Sequence, residues 1–328
     1  MTAVKQPVVR VLLQQDWARG SLVQDVRRGL GAHPRSLPPK WLYDDRGSAL
    51  FDEITRLPEY YPTEREREIL GAHASEIASL SAATTIIELG SGTSDKTRTL
   101  LDAFTAAGQL SRFVPVDVSE GTLRAAAADL SQAYPGVQVE AVVADFTLHL
   151  GHLPRGGRRM VAFLGGTIGN LYVEERGAFL GALADTLDPG DSLLLGTDLV
   201  KSSERLIDAY NDPDGVTAEF VTNSLRVVNR ELGADFALDA FAYVPFWDPH
   251  MERMDLRLRA EMPQRVRIPG ADLEIDLAFG EEIRVEISTK FRSEGIREEL
   301  NAAGFTVSRI WTDDAGDFAL TLAHRSDT

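Results

Sequence analysis

Residues 84–199 repeat one pattern: a short apolar run, a break of glycine or polar residues, then an amphipathic stretch. The apolar runs are TTIIEL, RFVPVDV, VQVEAVVADF, RMVAFLGGTIGN with its glycine-broken end, and DSLLLGTDL. Between them SDKTRTLLDAF, GTLRAAAADLSQAY and RGAFLGALADTL carry apolar residues at helical spacing. A strand that is apolar throughout must be covered on both faces, and amphipathic helices on either side do that. The expected class is therefore α/β with a mainly parallel sheet. Ligands of such sheets sit at the carboxyl ends of the strands, near the switch point in strand order.

Outside that region the rhythm changes. A helical pattern runs from about Thr63 to Leu80 and precedes the first apolar run. Beyond Lys201, two helical stretches (SERLIDAYND and GVTAEFVTNSLRVVNREL) precede the strand-like segments DAFAYVPFWD, RMDLRLRAEM, QRVRIPG and ADLEIDLA. The alternation in MDLRLRAEM suggests an antiparallel strand with one wet face. FRSEGIREELNAAGF then resumes a helix, and TVSRIWTDDAGDFALTLA reads as two strands joined by a turn at Asp313, Asp314 and Gly316. This tail is expected to complete the sheet domain, which makes the stretch from about Val200 to Lys290 an insertion. The proline- and aromatic-rich N-terminal segment matches no helix–strand rhythm and is expected to pack beside that insertion.

Composition bounds the function. The 328 residues are 44% hydrophobic and 26% charged, which is enough chain and apolar content for a sizeable core. A formal charge of −16 argues against a general affinity for nucleic acid phosphates or anionic membranes, which need clustered Lys and Arg. The chain has no cysteine, so disulfides, thiolate zinc sites and cysteine nucleophiles are excluded. Lys5, Arg10 and Asp16 interrupt the apolar residues near the N-terminus, and no run approaches the roughly 20 apolar residues of a membrane span. A cytoplasmic protein is expected. His149 and His152 lie three apart in HLGH, but no third ligand accompanies them, so no metal is expected.

The first loop, ELGSGTSDKT, follows an apolar strand and opens a helix that Ser94 or Asp95 is suited to cap. Glycine lets backbone N–H groups come close to a ligand, although Gly90 and Gly92 could equally serve a tight turn. The second strand ends in Asp117, placed to accept ribose hydroxyls. The third ends in Asp145 and Phe146, a pair suited to hold adenine by its amino group and ring face. Each acid alone could be a helix cap. Three such ends in consecutive strand–helix units point to a nucleotide-like cofactor. A nicotinamide dehydrogenase prefers G-x-G-x-x-G, and here Asp95 stands at the third glycine position.

ELGSGT resembles the first motif of class I S-adenosylmethionine-dependent methyltransferases, and the resemblance narrows when further segments are taken together. SLPPKWLYDDRGSALFDEITRLPEYYPT, ELGSGTSDKT, FLGGTIGN, LLLGTDLVK, NREL and EISTKF are similar to the actinobacterial histidine Nα-methyltransferases, over almost the whole chain. That family trimethylates L-histidine to hercynine in ergothioneine biosynthesis. The resemblance implies a Rossmann-like methyltransferase domain at 65–199 and 291–328. It also implies a second, α+β substrate-binding domain built from 1–64 and 200–290. S-adenosyl-L-methionine is the implied cofactor and S-adenosyl-L-homocysteine the product. Tyr43, Gly90, Ser91, Gly92, Lys96, Asp117, Asp145 and Phe146 are implied to contact it. Tyr60, Asn170 and Tyr210 would hold the amino acid's backbone end, Glu286 and Ser288 its imidazole, with Phe51, Leu256 and Gly165 beside the substrate. The sequence departs from the family pattern at Leu256, where methionine is expected, and at Gly166, where serine is common.

The residue chemistry suits those roles. A buried carboxylate at Glu286 can be compensated by an imidazole N–H, and the Ser288 hydroxyl can serve the same ring. Phenols and an amide can hold an α-carboxylate without adding a cation to a site that contains a sulfonium. Tyr43, Tyr60 or a water chain are the candidate acceptors for the amine proton, which makes the two tyrosines the candidate catalytic groups. Taken singly, Tyr60 and Tyr61 could be core aromatics, Asn170 could close a turn after Gly169, and Glu286 could lie on a solvated strand face. Three alternatives remain from sequence: a methyltransferase for another amino acid, a nicotinamide dehydrogenase, and a non-catalytic binder of histidine or its betaine. The expected enzyme is a monomer acting on histidine and its mono- and dimethyl intermediates, without nucleic acid or membrane.

Overall fold

Ile86, Ile87, Val114, Val116, Val142, Val161, Phe163 and Leu193–Leu195 are all buried, on both faces of one sheet, and this sets the architecture. The computed structural model describes residues 5–13 and 16–326. The chain forms two compact units. The first comprises described residues 5–13, 62–200 and 290–326. Numbered along the whole chain, its strands are β1 (Val8–Val11), β3 (Thr85–Leu89), β4 (Arg112–Asp117), β5 (Gln138–Val143), β6 (Arg159–Phe163), β7 (Ser192–Asp198), β13 (Phe305–Thr312) and β14 (Phe318–Arg325). They form an eight-stranded sheet in the order β1-β5-β4-β3-β6-β7-β14-β13. Every pairing from β1 to β7 is parallel, and β14 runs antiparallel to both β7 and β13. This is a Rossmann-like, doubly wound sheet with an antiparallel pair at one edge. Its strand order reverses at β3, whose neighbours are β4 and β6, so the loops after β3 and β6 open at the switch point.

Helices cover both faces, among them Tyr61–Ser81, Arg98–Ala106, Glu120–Ala133, Val173–Thr186 and Ser293–Ala302. In the first of these Leu70, Ala74, Ile77 and Ala78 recur at helical spacing and pack with Ile86, Leu100 and Phe104. Two expectations need correction. Residues 1–64 do not all belong with the insertion: β1 pairs in parallel with β5, Val8 opposite Glu140, so the described residues 5–13 join the sheet unit. The strand is short and half exposed at the sheet edge, which left no strong pattern in the sequence. The helix after the glycine loop starts at Arg98 with Thr97 at its N-cap, rather than being capped by Ser94 or Asp95: Ser94 is left-handed at φ 57° and residues 95–97 form a turn before the helix begins.

The second unit comprises described residues 16–61 and 201–289. It contains β2 (Arg35–Ser36), β8 (Phe241–Asp248), β9 (Arg253–Ala260) and β12 (Glu282–Thr289) in a sheet ordered β2-β12-β9-β8, with β10 (Gln264–Ile268) and β11 (Leu273–Leu277) as a separate hairpin. Helices Trp17–Leu30, Asp45–Ile54 and Val216–Leu232 pack in the same core. The N-terminal segment thus does contain regular elements. Its helix at 45–54 is started by Asp44, which accepts the Gly47 N–H at 2.8 Å and also takes Asn223 and Arg230, each at 2.7 Å. The alternation expected for β9 is present: Met254, Leu256, Leu258 and Ala260 are buried, while on the other face Arg253 and Arg257 are half-buried and Arg259 is exposed. Asp255 is the exception on that wetter face, wholly buried and gripped by Arg253 at 2.7 Å, Arg257 at 2.6 Å and Arg284 at 3.0 Å. Ion pairing replaces solvation there, as a buried carboxylate requires.

Candidate active site

In the first unit the candidate residues gather at the carboxyl ends of β3 to β6. The chain leaves β3 through Gly90 at φ 68° and Gly92 at φ 49°, both in the left-handed region that a side chain would strain. Gly90 and Ser91 donate their N–H groups to Val116 O, at 2.9 and 3.1 Å, which lays the loop against the end of β4. Asp117 closes it: its Oδ2 accepts the Gly92 N–H at 3.0 Å and its Oδ1 the Ser119 N–H at 2.9 Å. Asp145 caps the helix Phe146–His149 by accepting the Thr147 N–H at 2.9 Å. The Phe146 ring stands next to the loop, since a Cβ on Gly90 would lie 3.7 Å from it, and it packs edge-on against Phe163 at 5.3 Å. After β6, Gly165 and Gly166 are both left-handed and lead into the turn Thr167–Asn170, which leaves Asn170 half-buried. A serine at Gly166 would be strained at φ 70°, so glycine suits that position.

Acids dominate this region. Glu88, at the end of β3, is buried and bonded by the Thr97 hydroxyl. Burial pushes its carboxyl up to about 7, against the Thr97 and Ser94 hydroxyls and the Lys96 ammonium, which pull it down, while Glu66 adds to the rise. Lys96 is ion-paired with Glu66 at 2.6 Å.

In the second unit the other candidates converge on one aromatic cluster. Tyr43 meets Phe51 at 5.5 Å, Phe51 meets Tyr60 at 6.3 Å, and Tyr60 meets Tyr210 at 6.2 Å, all edge to face. Phe220 closes the cluster against Tyr43 at 5.3 Å and Phe51 at 5.8 Å. Of the adjacent tyrosines, Tyr60 faces this cluster, whereas the Tyr61 hydroxyl accepts from Lys201 at 2.7 Å. Tyr210 donates to the Ser288 hydroxyl at 2.9 Å, and Tyr243 donates to the Tyr210 carbonyl at 2.8 Å. Burial and then the nearby Glu286 carboxylate raise the Tyr243 phenol well above its ordinary range, so it stays a donor.

Glu286 and Ser288 reach the interior through a register shift. On β12, Ile283 pairs with Leu258 and Arg284 with Arg257, but then Glu286 pairs with Leu256 and Ser288 with Met254. The extra residue, Val285, is a bulge between Arg284 and Glu286. Residues directly opposite share a face, so Glu286 and Ser288 lie on the face of the buried Leu256 and Met254 while Arg284 stays on the face of Arg257. Among the described residues no group of three or more His, Asp or Glu side chains is arranged to hold a metal ion.

Residues 22–325 match the family model described as histidine-specific methyltransferase, S-adenosylmethionine-dependent. The chain belongs to this family. It is an S-adenosylmethionine-dependent methyltransferase, similar to the histidine N-alpha-methyltransferase of Mycolicibacterium smegmatis, at 56% identity over 95% of this chain and 98% of the relative. The Mycobacterium tuberculosis protein of the same name is 55% identical over 95% of this chain and 97% of its own length. Ergothioneine biosynthesis protein 1 of Neurospora crassa is 36% identical over 61% of this chain and 23% of that protein.

The methyltransferase loop fits its cofactor on its own geometry. Ser91 Oγ is buried with no hydrogen-bond partner, and the glycines at 90 and 92 bring backbone close without a Cβ. A carboxylate has roughly four lone-pair sites. Asp117 uses two on backbone N–H groups and keeps capacity for hydroxyls. Three neighbours of the candidate residues were not singled out from sequence: Glu66, Phe220 and Tyr243. Each lies in a helix or strand whose pattern reads as core, so nothing local marked it.

Proposed function

We propose that this methyltransferase trimethylates the α-amine of L-histidine to hercynine, in three successive transfers that pass through the mono- and dimethyl intermediates. This is the first step of ergothioneine biosynthesis. The observation that carries the proposal is the placement of Glu286 and Ser288 by the β12 bulge on the buried face beside Leu256, with Tyr210 bonded to Ser288. An acid and a hydroxyl two residues apart on an otherwise apolar face suit a ring with two nitrogens. An amino acid lacking the ring would leave both groups without its compensation.

Gly90, Ser91, Gly92, Lys96, Asp117, Asp145, Phe146 and Tyr43 are the proposed cofactor contacts. When bound, S-adenosylmethionine supplies an electrophilic methyl group on a sulfonium and leaves as S-adenosylhomocysteine. Tyr60, Asn170 and Tyr210 are assigned to the backbone end of histidine, with Gly165 and Phe51 beside it. An ammonium has no lone pair, so the amine has to lose a proton before each transfer; the Tyr43 and Tyr60 hydroxyls are the proposed acceptors that pass it to water. The aromatic faces of Phe51 and the tyrosines favour the methylammonium charge as it accumulates. Positioning of the amine supplies most of the rate.

The absence of cysteine and the acidic composition support a cytoplasmic setting. No described helix is long and apolar enough to cross a membrane.

The test is mass spectrometry of L-histidine, a panel of other amino acids and an enzyme-free control, each incubated with S-adenosylmethionine. Histidine gaining three methyl groups supports the assignment. Methylation of another amino acid with histidine untouched would overturn the roles of Glu286 and Ser288 while leaving the methyltransferase intact.

A further inference from the structure

Glu66 sits near the start of the helix Tyr61–Ser81 with its carboxylate wholly buried. A buried carboxylate is costly unless it is paired and hydrogen-bonded. Its partners are two of the proposed site residues. The Gly165 N–H donates to Oε1 at 2.8 Å and Oε2 at 3.0 Å, and the Lys96 ammonium donates to Oε2 at 2.6 Å. One side chain thus ties the helix to the loop after β3 and the loop after β6. The space for it is made by Gly196 on β7, where a Cβ would stand 2.3 Å from Glu66 Oε1. A Cβ on Gly165 would in turn lie 3.3 Å from Lys96 Nζ, so the lysine rests against the same backbone.

We propose that Glu66 is a positioning residue that fixes Lys96 and Gly165 and cancels the lysine charge, so that the site accepts a sulfonium as readily as a neutral thioether. The inference rests on the assignment of Lys96 to the cofactor site and of Gly165 beside the substrate. S-adenosylmethionine and S-adenosylhomocysteine differ at sulfur by one positive charge. A lysine without its carboxylate repels the first and not the second, because like charges at short range in a partly buried site are weakly screened. A purely structural Glu66 would affect both ligands alike.

The experiment is calorimetric titration of both ligands into the full-length protein carrying Glu66→Gln, which keeps shape and an acceptor for the Gly165 N–H but removes the charge. The expected result is a Kd for S-adenosylmethionine that rises about tenfold more than that for S-adenosylhomocysteine, a differential of about 1.4 kcal/mol. Adding Lys96→Met to Glu66→Gln should return the ratio of the two Kd values to that of the unaltered protein. Should Glu66→Gln fail to fold, Gly196→Ala, which displaces the carboxylate, is expected to move the ratio in the same direction. An unchanged ratio in the folded variant overturns the inference. Lys96→Met alone separates the two levels. If it alters neither affinity, the cofactor role of Lys96 falls and takes the inference with it. If it alters them while Glu66→Gln leaves the ratio constant, only the role of Glu66 falls.

Discussion

The two units present their candidate residues by opposite means. In the parallel-sheet unit the work falls to backbone: left-handed glycines at 90, 92 and 165, with Asp117 holding the loop through the N–H groups of Gly92 and Ser119. In the other unit it falls to side chains drawn from distant segments, Tyr43, Phe51 and Tyr60 from one and Tyr210 and Phe220 from another. A cofactor common to many enzymes suits a local loop that any strand–turn–helix can supply. An acceptor particular to one enzyme is recognised by side chains, because those can vary without disturbing a backbone motif.

The largest expected effect would divide the two units cleanly. Glu286→Ala should lower kcat/KM for histidine about a thousandfold, since a polar ring then loses its buried partner, while the Kd for S-adenosylmethionine stays within about twofold. Equal losses in both would break the contrast.

Next in size is an effect on stability confined to the sheet unit. The Glu88 carboxyl is held at about 7 against 4.5 unfolded, so the folded state binds more protons between those values and stability falls as pH rises through that window. Glu88→Gln removes this loss. Its stability relative to the unaltered protein should grow by about 3 kcal/mol from pH 4.5 to above pH 7, measured by urea unfolding across the range. A constant difference would show that Glu88 does not titrate there.

Asp117→Ala should weaken S-adenosylmethionine binding about tenfold to a hundredfold, because a charged acceptor is lost and the Gly92 N–H is left without the carboxylate it donates to. With cofactor saturating, KM for histidine should hold. The smallest effect sharpens the role of the phenols: Tyr60→Phe should raise KM for histidine by about tenfold, one hydrogen bond's worth, with a smaller change in cofactor affinity. A larger change in cofactor affinity would move Tyr60 to the other group of contacts.

What was legible in the sequence was local. Five apolar runs alternating with helices define the sheet, and ELGSGTSDKT with Asp117, Asp145 and Phe146 marks one end of it, because strand end, glycine turn and acid are neighbours along the chain. Edge strand β1 escaped notice because it is short, half exposed and separated from its partner β5 by more than a hundred residues.

The side chains of the second unit were decided by tertiary structure. Strict alternation along Arg284, Glu286 and Ser288 puts all three on one face, and that is the solvated-face alternative for Glu286. The bulge at Val285 splits them, sending Arg284 to Asp255 and turning Glu286 and Ser288 inward beside Leu256 and Met254. A single inserted residue reverses the face of everything after it, and whether it is inserted depends on how β12 pairs with β9. Phe220 joined Tyr43 and Phe51, and Glu66 joined Lys96 and Gly165, for the same reason: packing between segments far apart in the chain chose their partners.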